Sequence, residues 1–465
     1  MDNRRDFIKK AALLSGGAGL LSGLPPSIQR AFAINPEAGT TYLDAEHVVF
    51  LMQENRSFDH SYGTLQGVRG FNDPRAILLP NKNKVWLQTN AAGDTYAPFR
   101  MNIKESNITW TGSLPHSFTD MTDARNEGKN NGWLDAKRSG RKEVRDMPIT
   151  MGYFGREDIP FYYALADAFT VCDQHFCSSL TGTTPNRVYF WSGTIRDKHD
   201  ENVKANVFNS DITYGREASW KTFPEHLEEN GIPWRVDQNE VSIETGFEGD
   251  EEDWLANFTN NPLEWFSQYN IKFSHGHMRY LENMEKTLPG IISELEGRLK
   301  NLPDGSQEKN ELQKDLVKKQ SLFASVKKDR EKYNLEAYNK LSQWHKNLHE
   351  KAFTDNRTDP DYRKLTSITY SDNGTQRTME IPKGDVLHRF RHDVQSGKLP
   401  TVSWVIAPCN FSDHPGAPWY GAWFLSEVID ILTQNPEVWK KTIFILNYDE
   451  NDGYFDHVPP FAAPD

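Results

Sequence analysis

His47-Val48-Val49-Phe50-Leu51-Met52 near one end of the chain and Thr442-Ile443-Phe444-Ile445-Leu446-Asn447 near the other are short runs of β-branched, aliphatic and aromatic residues. Each has the length and composition of a strand buried in a parallel sheet, which predicts an α/β fold. The first run continues into Gln53-Glu54-Asn55 and the second into Tyr448-Asp449-Glu450. In open α/β sheets ligands bind just beyond the carboxyl ends of the strands. The pattern therefore predicts that Glu54, Asn55, Asp449 and Glu450 meet in one oxygen-rich site, although most of the chain separates the two pairs. A carboxylate beside a carboxamide is a donor set for a hard divalent cation. Adjacent carboxylates at a strand end are costly unless a cation or cationic residue neutralises them.

Two further segments extend the pattern of a strand-like run followed by polar, chemically capable residues. Phe169-Thr170-Val171-Cys172 leads, after a loop, into Thr181-Gly182-Thr183-Thr184-Pro185-Asn186-Arg187. Proline favours the first helical position, so the hydroxyls before Pro185 are expected at a helix start, where free backbone N–H groups attract a phosphate oxyanion. A hydroxyl so placed and ligated by a metal can ionise and attack phosphorus, whereas taken alone it reads as a threonine N-cap. Arg187, one turn on, suits a phosphate or a buried carboxylate. The other segment is a strand over 401–406 leading into Cys409-Asn410-Phe411-Ser412-Asp413-His414-Pro415, where His414 beside Asp413 suits a general acid. His116 is a weaker candidate for the same site. His275 and His277 have the types for a metal pair but read mainly as surface or structural.

With 465 residues, 13 Trp and 26 Phe, the chain has ample apolar area to bury and is not a disordered sequence. Residues 1–33 are read as an export leader: Asn3-Arg4-Arg5-Asp6-Phe7-Ile8-Lys9 has the twin-arginine pattern, a modest apolar stretch follows, and Ala31-Phe32-Ala33 offers small residues for cleavage. No other run is apolar and long enough for a membrane-spanning helix. The formal charge of −12 makes nucleic acid a poor partner. Three cysteines (Cys172, Cys177, Cys409) leave at least one unpaired, and Cys172 and Cys177 read as buried thiols rather than a disulfide. Residues 280–350 are rich in Lys, Glu, Leu and Gln at helical spacing, with arms Leu281–Leu299 and Gln307–Leu348 around the turn Asn301-Leu302-Pro303-Asp304-Gly305. This is expected to be a charged helical hairpin inserted into a catalytic domain of residues 42–465. That domain is expected to be truncated at its C-terminus, because a ligand-bearing strand so near a chain end usually needs further elements to cover it.

Gln53-Glu54-Asn55-Arg56-Ser57-Phe58-Asp59-His60, Gly182-Thr183-Thr184-Pro185-Asn186-Arg187, Ser412-Asp413-His414-Pro415 and Tyr448-Asp449-Glu450-Asn451-Asp452-Gly453-Tyr454-Phe455-Asp456-His457 together resemble one family. It is the bacterial phosphocholine-preferring, non-hemolytic type phospholipase C. That group lies among the phosphoesterases that include the acid phosphatase of the same fold and the plant non-specific phospholipases C. The motifs run from about residue 45 to 460 in the family's order. The chain departs from the family pattern at Asn451, where histidine is common, and in the length and charge of the hairpin. The resemblance implies an alkaline-phosphatase-like α/β sandwich with a mostly parallel central sheet. By motif position it makes Thr183 the nucleophile (Thr184 the fallback). It makes Glu54, Asn55, Asp449, Glu450 and the Thr183 oxygen the ligands of a divalent metal, whether calcium, magnesium, manganese or iron, and it lines the site with His116 and His414. The implied reaction is hydrolysis of phosphatidylcholine to diacylglycerol and phosphocholine, with a phosphomonoesterase or sphingomyelinase on the same scaffold as the alternative. The implied partners are phospholipid, a membrane surface met transiently and the twin-arginine export machinery, with a periplasmic or secreted destination. Trp133, Trp419, Tyr420 and Trp423 are candidates for an aromatic cage around choline.

Overall fold

Four strands, β1 (His47–Gln53), β2 (Trp234–Asp237), β3 (Val402–Val405) and β4 (Thr442–Tyr448), form a wholly parallel sheet in the order β4-β1-β3-β2. The computed structural model describes residues 24–106, 108, 112–198, 200, 202–372, 374–414 and 418–460. Most of the leader thus lies outside the described residues. β1 and β4 pair along their full length, His47 with Thr442 through to Gln53 with Tyr448. The two runs that decide the fold are therefore neighbours in register, and the architecture is α/β, as expected.

The helices that position the site are α1 (Pro26–Ala33), α2 (Thr183–Ser192), α3 (Asp250–Leu255), α4 (His275–Lys300), α5 (Gln307–Lys332) and α6 (Pro418–Gln434). Side chains alternate across a strand, so each sheet face needs its own cover. Val49, Leu51 and Val405 pack with Phe424, Leu425, Val428 and Ile429 of α6 and with Ile28, Ala31 and Phe32 of α1. Phe50, Val402 and Trp404 point the other way, toward Val188 and Trp191 of α2. Trp404 stacks on Trp191 with centroids 4.5 Å apart. Burying side chains of this size contributes about 1.5–3 kcal/mol each. Residues 26–33, read from the sequence as part of the leader, form α1, whose Ile28 and Ala31 are fully buried.

Among the described residues β4 is an edge strand. Its outer side faces a groove of about 1120 Å³ that reaches Glu450 at one end and is lined by Phe169, Val171, Ile443 and Ile445 among others. The run 169–172 is not a strand, contrary to its β-branched composition. It follows the helix Pro160–Ala168 as an irregular segment beside this groove. That placement leaves Cys172 exposed and Cys177 partly exposed, correcting the expectation of two buried thiols, and all three cysteines are free. The hairpin forms as α4 and α5, with Leu281, Leu288 and Leu295 at seven-residue spacing along the seam against Leu316 and Val326. Its second arm is shorter than expected. It ends at Lys332, and two separate helices, Leu335–Asn339 and Gln343–Ala352, follow. No helix among the described residues is long and apolar enough to cross a membrane.

Candidate active site

The parallel register sets the site. Because Gln53 pairs with Tyr448, Glu54 and Asp449 leave adjacent strands at the same level. Backbone bonds then lock the three loops above the sheet together. Asp449 N–H donates to Gln53 O at 3.1 Å, Glu54 N–H to Ser412 O at 2.8 Å and Arg56 N–H to Glu450 O at 3.1 Å. Asn55 takes a left-handed backbone (φ 52°), which asparagine tolerates, and its N–H donates to Asp449 Oδ1 at 3.2 Å. The helix after β1 is capped by Ser57, whose hydroxyl accepts from His60 N–H. Neither Asn55 nor Asp59 is needed as its cap.

Glu54, Asn55, Asp449 and Glu450 are all buried. One terminal atom of the Asn55 carboxamide stands 3.1 Å from Glu450 Oε1 and 3.2 Å from Glu54 Oε2. With the NH2 turned there it donates to both carboxylates; with the oxygen there, three oxygens face one another as cation ligands do. Burial and the neighbouring Asp449 push the Glu54 carboxyl up to about 8, against Arg187 and His116. Burial also raises Glu450 well above the usual carboxylate range, opposed by His116. Burial and crowding thus disfavour the charged form of both carboxyls, which is the state a bound cation would favour. The mixed carboxylate and amide donor set fits a hard divalent ion.

Thr183 is the first residue of α2 and is buried. The helix begins two residues before Pro185 rather than at it. Gly182, as its N-cap, brings no side chain to the helix start. Thr183 and Arg187 are four residues apart and share a helix face. Arg187, fully buried, donates from Nε to Asp449 Oδ2 at 3.0 Å, from Nη1 to Asn260 O at 3.0 Å and from Nη2 to Glu54 Oε1 at 3.4 Å. The arginine ties the carboxylates to α2, the helix that Thr183 opens.

His116 lies beside the start of α2. Its Nδ1 lies 2.6 Å from Leu114 O and 3.0 Å from Asp452 Oδ1, and its Nε2 lies 3.7 Å from Glu450 Oε1. Burial works against a charged ring here, yet Asp452 and Glu450 raise its pKa to about 10. A Cβ on Gly182 would stand 3.3 Å from the His116 ring, so the missing side chain is what lets the histidine lie against the start of α2. His414 Nε2 is 3.9 Å from Glu54 Oε2, and burial depresses that ring to about 4.

Asp413, on a left-handed backbone (φ 67°), anchors the loop that carries His414. Its Oδ2 accepts from Tyr162 OH at 2.5 Å and Tyr448 OH at 2.7 Å, while Arg56 Nη2 donates to its backbone oxygen. A Cβ on Gly421 would overlap this carboxylate, so glycine is required there. Burial raises the Asp413 carboxyl to about 6 against Arg56 and the two tyrosines. A folded pKa above the unfolded value of about 3.9 gives stability that is full below that value and lost as pH rises through about 6, up to about 3 kcal/mol. The Asp413→Asn variant, neutral throughout, is expected to lose less stability than the unsubstituted protein between about pH 4 and pH 7. Urea titrations at both pH values check this, and equal losses would refute it.

Several groups had little or no sequence signal. Asp452, which orients His116, sits inside the Asp-Glu-Asn-Asp-Gly run but was not singled out from it. Asn260, whose amide can turn to donate to Glu54 Oε1, carries no pattern at all. Asp59, Asp456 and His457 have ligand atoms within 4.8 Å of one another, close enough to hold an ion. They are already partnered: His457 Nδ1 is 2.8 Å from Asp59 Oδ2, its Nε2 is 3.3 Å from Asp73 Oδ2, and Arg69 donates to Asp73 at 2.6 Å. With Ser57 Oγ donating to Phe455 O, this group pins the loop after β1 to the loop after β4. His275 and His277 do not pair: His275 is exposed, while His277 is buried with Nδ1 2.8 Å from Glu244 O. Two positions apart on a helix, they cannot face each other. The four rings considered for a choline cage take separate neighbours. Trp133 packs on Phe455, Trp419 on Phe154, Tyr420 on Trp254 and Trp423 on Phe411.

The phosphoesterase family model matches residues 45–301 and 303–465. The non-hemolytic phospholipase C of Burkholderia pseudomallei is 34% identical over 470 residues, 99% of this chain and 51% of that protein. The non-hemolytic phospholipase C of Pseudomonas aeruginosa is 34% identical over 467 residues, 99% of this chain and 50% of that protein. Phospholipase C B of Mycobacterium tuberculosis is 30% identical over 468 residues, 99% of this chain and 68% of that protein. The chain thus spans about half the length of the first two relatives.

Proposed function

The chain belongs to the phosphoesterase family, and from that premise we propose that it hydrolyses the phosphodiester of phosphatidylcholine-type lipids to diacylglycerol and phosphocholine, with Thr183 as nucleophile. The observation that supports this most is the gathering of Glu54, Asn55, Asp449 and Glu450 above the ends of β1 and β4, with Arg187 tying the Thr183 helix to them. Glu54, Asn55, Asp449, Glu450 and Thr183 Oγ1 would hold a divalent cation. Such an ion supplies charge neutralisation at the phosphate and a lowered hydroxyl pKa.

Thr183 Oγ1 gives up its proton to solvent and attacks phosphorus in line, the bond from phosphorus to the glycerol oxygen breaks, and phosphocholine is left esterified to threonine. The leaving oxygen takes a proton from a histidine. His116, held by Asp452 against Gly182, suits that role, and His414 is the second candidate. Water then cleaves the phosphothreonine with the proton transfers reversed, restoring the threonine hydroxyl and releasing phosphocholine. The N-terminus of α2, where Thr183 sits, favours a phosphate anion beside it. Export by the twin-arginine route to the periplasm or beyond accompanies this reading through the Arg4-Arg5 leader.

The test compares p-nitrophenyl phosphorylcholine with p-nitrophenyl phosphate, each before and after chelation. The choline diester is expected to be preferred, its turnover to vanish with EDTA and to return with one of the divalent cations. Dominance of the monoester would overturn the lipase reading in favour of a phosphomonoesterase.

A further inference from the structure

The rim of the site beside His414 carries large apolar side chains exposed to solvent. Phe258 (46% exposed) lies with its ring 4.9 Å from the His414 ring. Trp423 (48%) packs 5.0 Å from Phe411, which packs 5.3 Å from Trp254, and Trp254 in turn lies 5.2 Å from Tyr420. The hairpin formed by Leu365–Asp372 and Thr375–Pro382 comes against α3 and extends the rim with Ile368 and Tyr370, also exposed. Phe411 and His414 follow β3, so this rim stands at the carboxyl end of the sheet, where the catalytic cluster sits.

Isolated exposed apolar residues need no explanation, but a set bracketing the mouth of a buried site does. The proposed substrate is held in a bilayer, while Glu54 and Thr183 are buried within the protein. A phosphodiester reaches them only if the rim meets the lipid surface closely. Tryptophan and tyrosine, apolar with a polar tip, are the residues that settle at a membrane–water boundary. The charges on the rim select the kind of membrane. The first turn of α3 is Asp250, Glu251, Glu252 and Asp253, and the chain carries a net −12. An anionic surface is repelled by such a rim.

We propose that Phe258, Tyr420, Trp423 and the tip-side residues Ile368 and Tyr370 form an interfacial docking surface that seats the site on a zwitterionic phosphocholine bilayer. This rests on the reading of the site as a phospholipase. It differs from a choline cage in that the rings enter the lipid boundary separately and enclose nothing.

The test uses the whole chain, Trp423→Ala and Tyr370→Ser, with vesicles of phosphatidylcholine alone and vesicles mixed with phosphatidylserine. Flotation measures binding, and hydrolysis is followed on vesicle lipid and on soluble p-nitrophenyl phosphorylcholine. The unsubstituted protein is expected to bind phosphatidylcholine vesicles more tightly than mixed ones. Trp423→Ala is expected to bind and hydrolyse vesicles about tenfold less well, with soluble turnover unchanged. Tyr370→Ser, on an exposed hairpin remote from the core, is expected to shift the same way by a smaller factor. Vesicle binding and hydrolysis unchanged in both variants would overturn the docking surface while leaving the hydrolytic reading standing. Binding that strengthens with phosphatidylserine would overturn it as well. If the protein turns over neither substrate yet binds phosphatidylcholine vesicles through Trp423, the hydrolytic reading fails and the surface stands.

Discussion

Thr183→Ala is expected to lower kcat for a choline phosphodiester by about 10⁴-fold or more, with the thermal midpoint almost unchanged. A hydroxyl nucleophile has no substitute among the remaining groups, and losses of this size follow removal of a covalent nucleophile. The fold should tolerate the change, because alanine suits the first position of a helix and α2 is held elsewhere. Asn209 Oδ1 accepts the Thr184 N–H at 3.1 Å, and Arg187 pins the next turn. Thr183→Ser keeps the oxygen and should retain most of the activity, within about tenfold to a hundredfold. Thr184→Ala should be mild, since the contact of Thr184 with Asn209 is made by its backbone. Single-turnover kinetics with the three variants check the assignment. Full turnover by Thr183→Ala would refute it, and loss confined to Thr184→Ala would move the nucleophile by one residue.

The parts of the molecule legible in the sequence are those dictated by local pattern. β1 and β4 have the length and composition of parallel strands, although β4 lies at the sheet edge only partly buried, with Ile445 exposed, rather than buried as the run predicts. The rule that ligands gather beyond strand ends then put Glu54 and Asp449 together, and the register of Gln53 with Tyr448 makes them level. Partners set by packing were not legible. Asn260 reaches Glu54 from a segment with no periodicity, and the hold of Asp452 on His116 joins residues far apart in the chain. Propensity also misled. Phe169-Thr170-Val171-Cys172 is β-like in composition, but it runs beside the unpaired outer edge of β4 as an irregular segment without joining the sheet. The second hairpin arm kept helical spacing past Lys332, yet Tyr333 turns from the helix to pack on Phe273 of the body and the arm stops there.

Arg187 is the residue whose loss the fold should feel most. It is fully buried, and among the described residues it is the only arginine or lysine ion-paired to Glu54 or Asp449. Arg187→Met keeps the volume and removes the charge, leaving Glu54, Asp449 and Glu450 buried beside one another. Breaking a buried pair from one side costs about 3–5 kcal/mol, because the remaining charge is left uncompensated. Arg187→Lys restores a charge but not the three-way fork to Asp449, Glu54 and Asn260 O, so an intermediate loss is expected. Two further measurements separate this electrostatic account from simple damage to packing. Adding Asp449→Asn to Arg187→Met removes one of the stranded charges and should recover part of the lost stability, which additive packing damage would not do. A divalent cation should stabilise Arg187→Met by more than it stabilises the unsubstituted protein, since it supplies the positive charge the cluster lacks. Urea unfolding of the single and double variants, with EDTA and with each cation, reads both effects. If Arg187→Met unfolds at the same urea concentration as the unsubstituted protein, the carboxylates do not depend on the arginine for their charge balance.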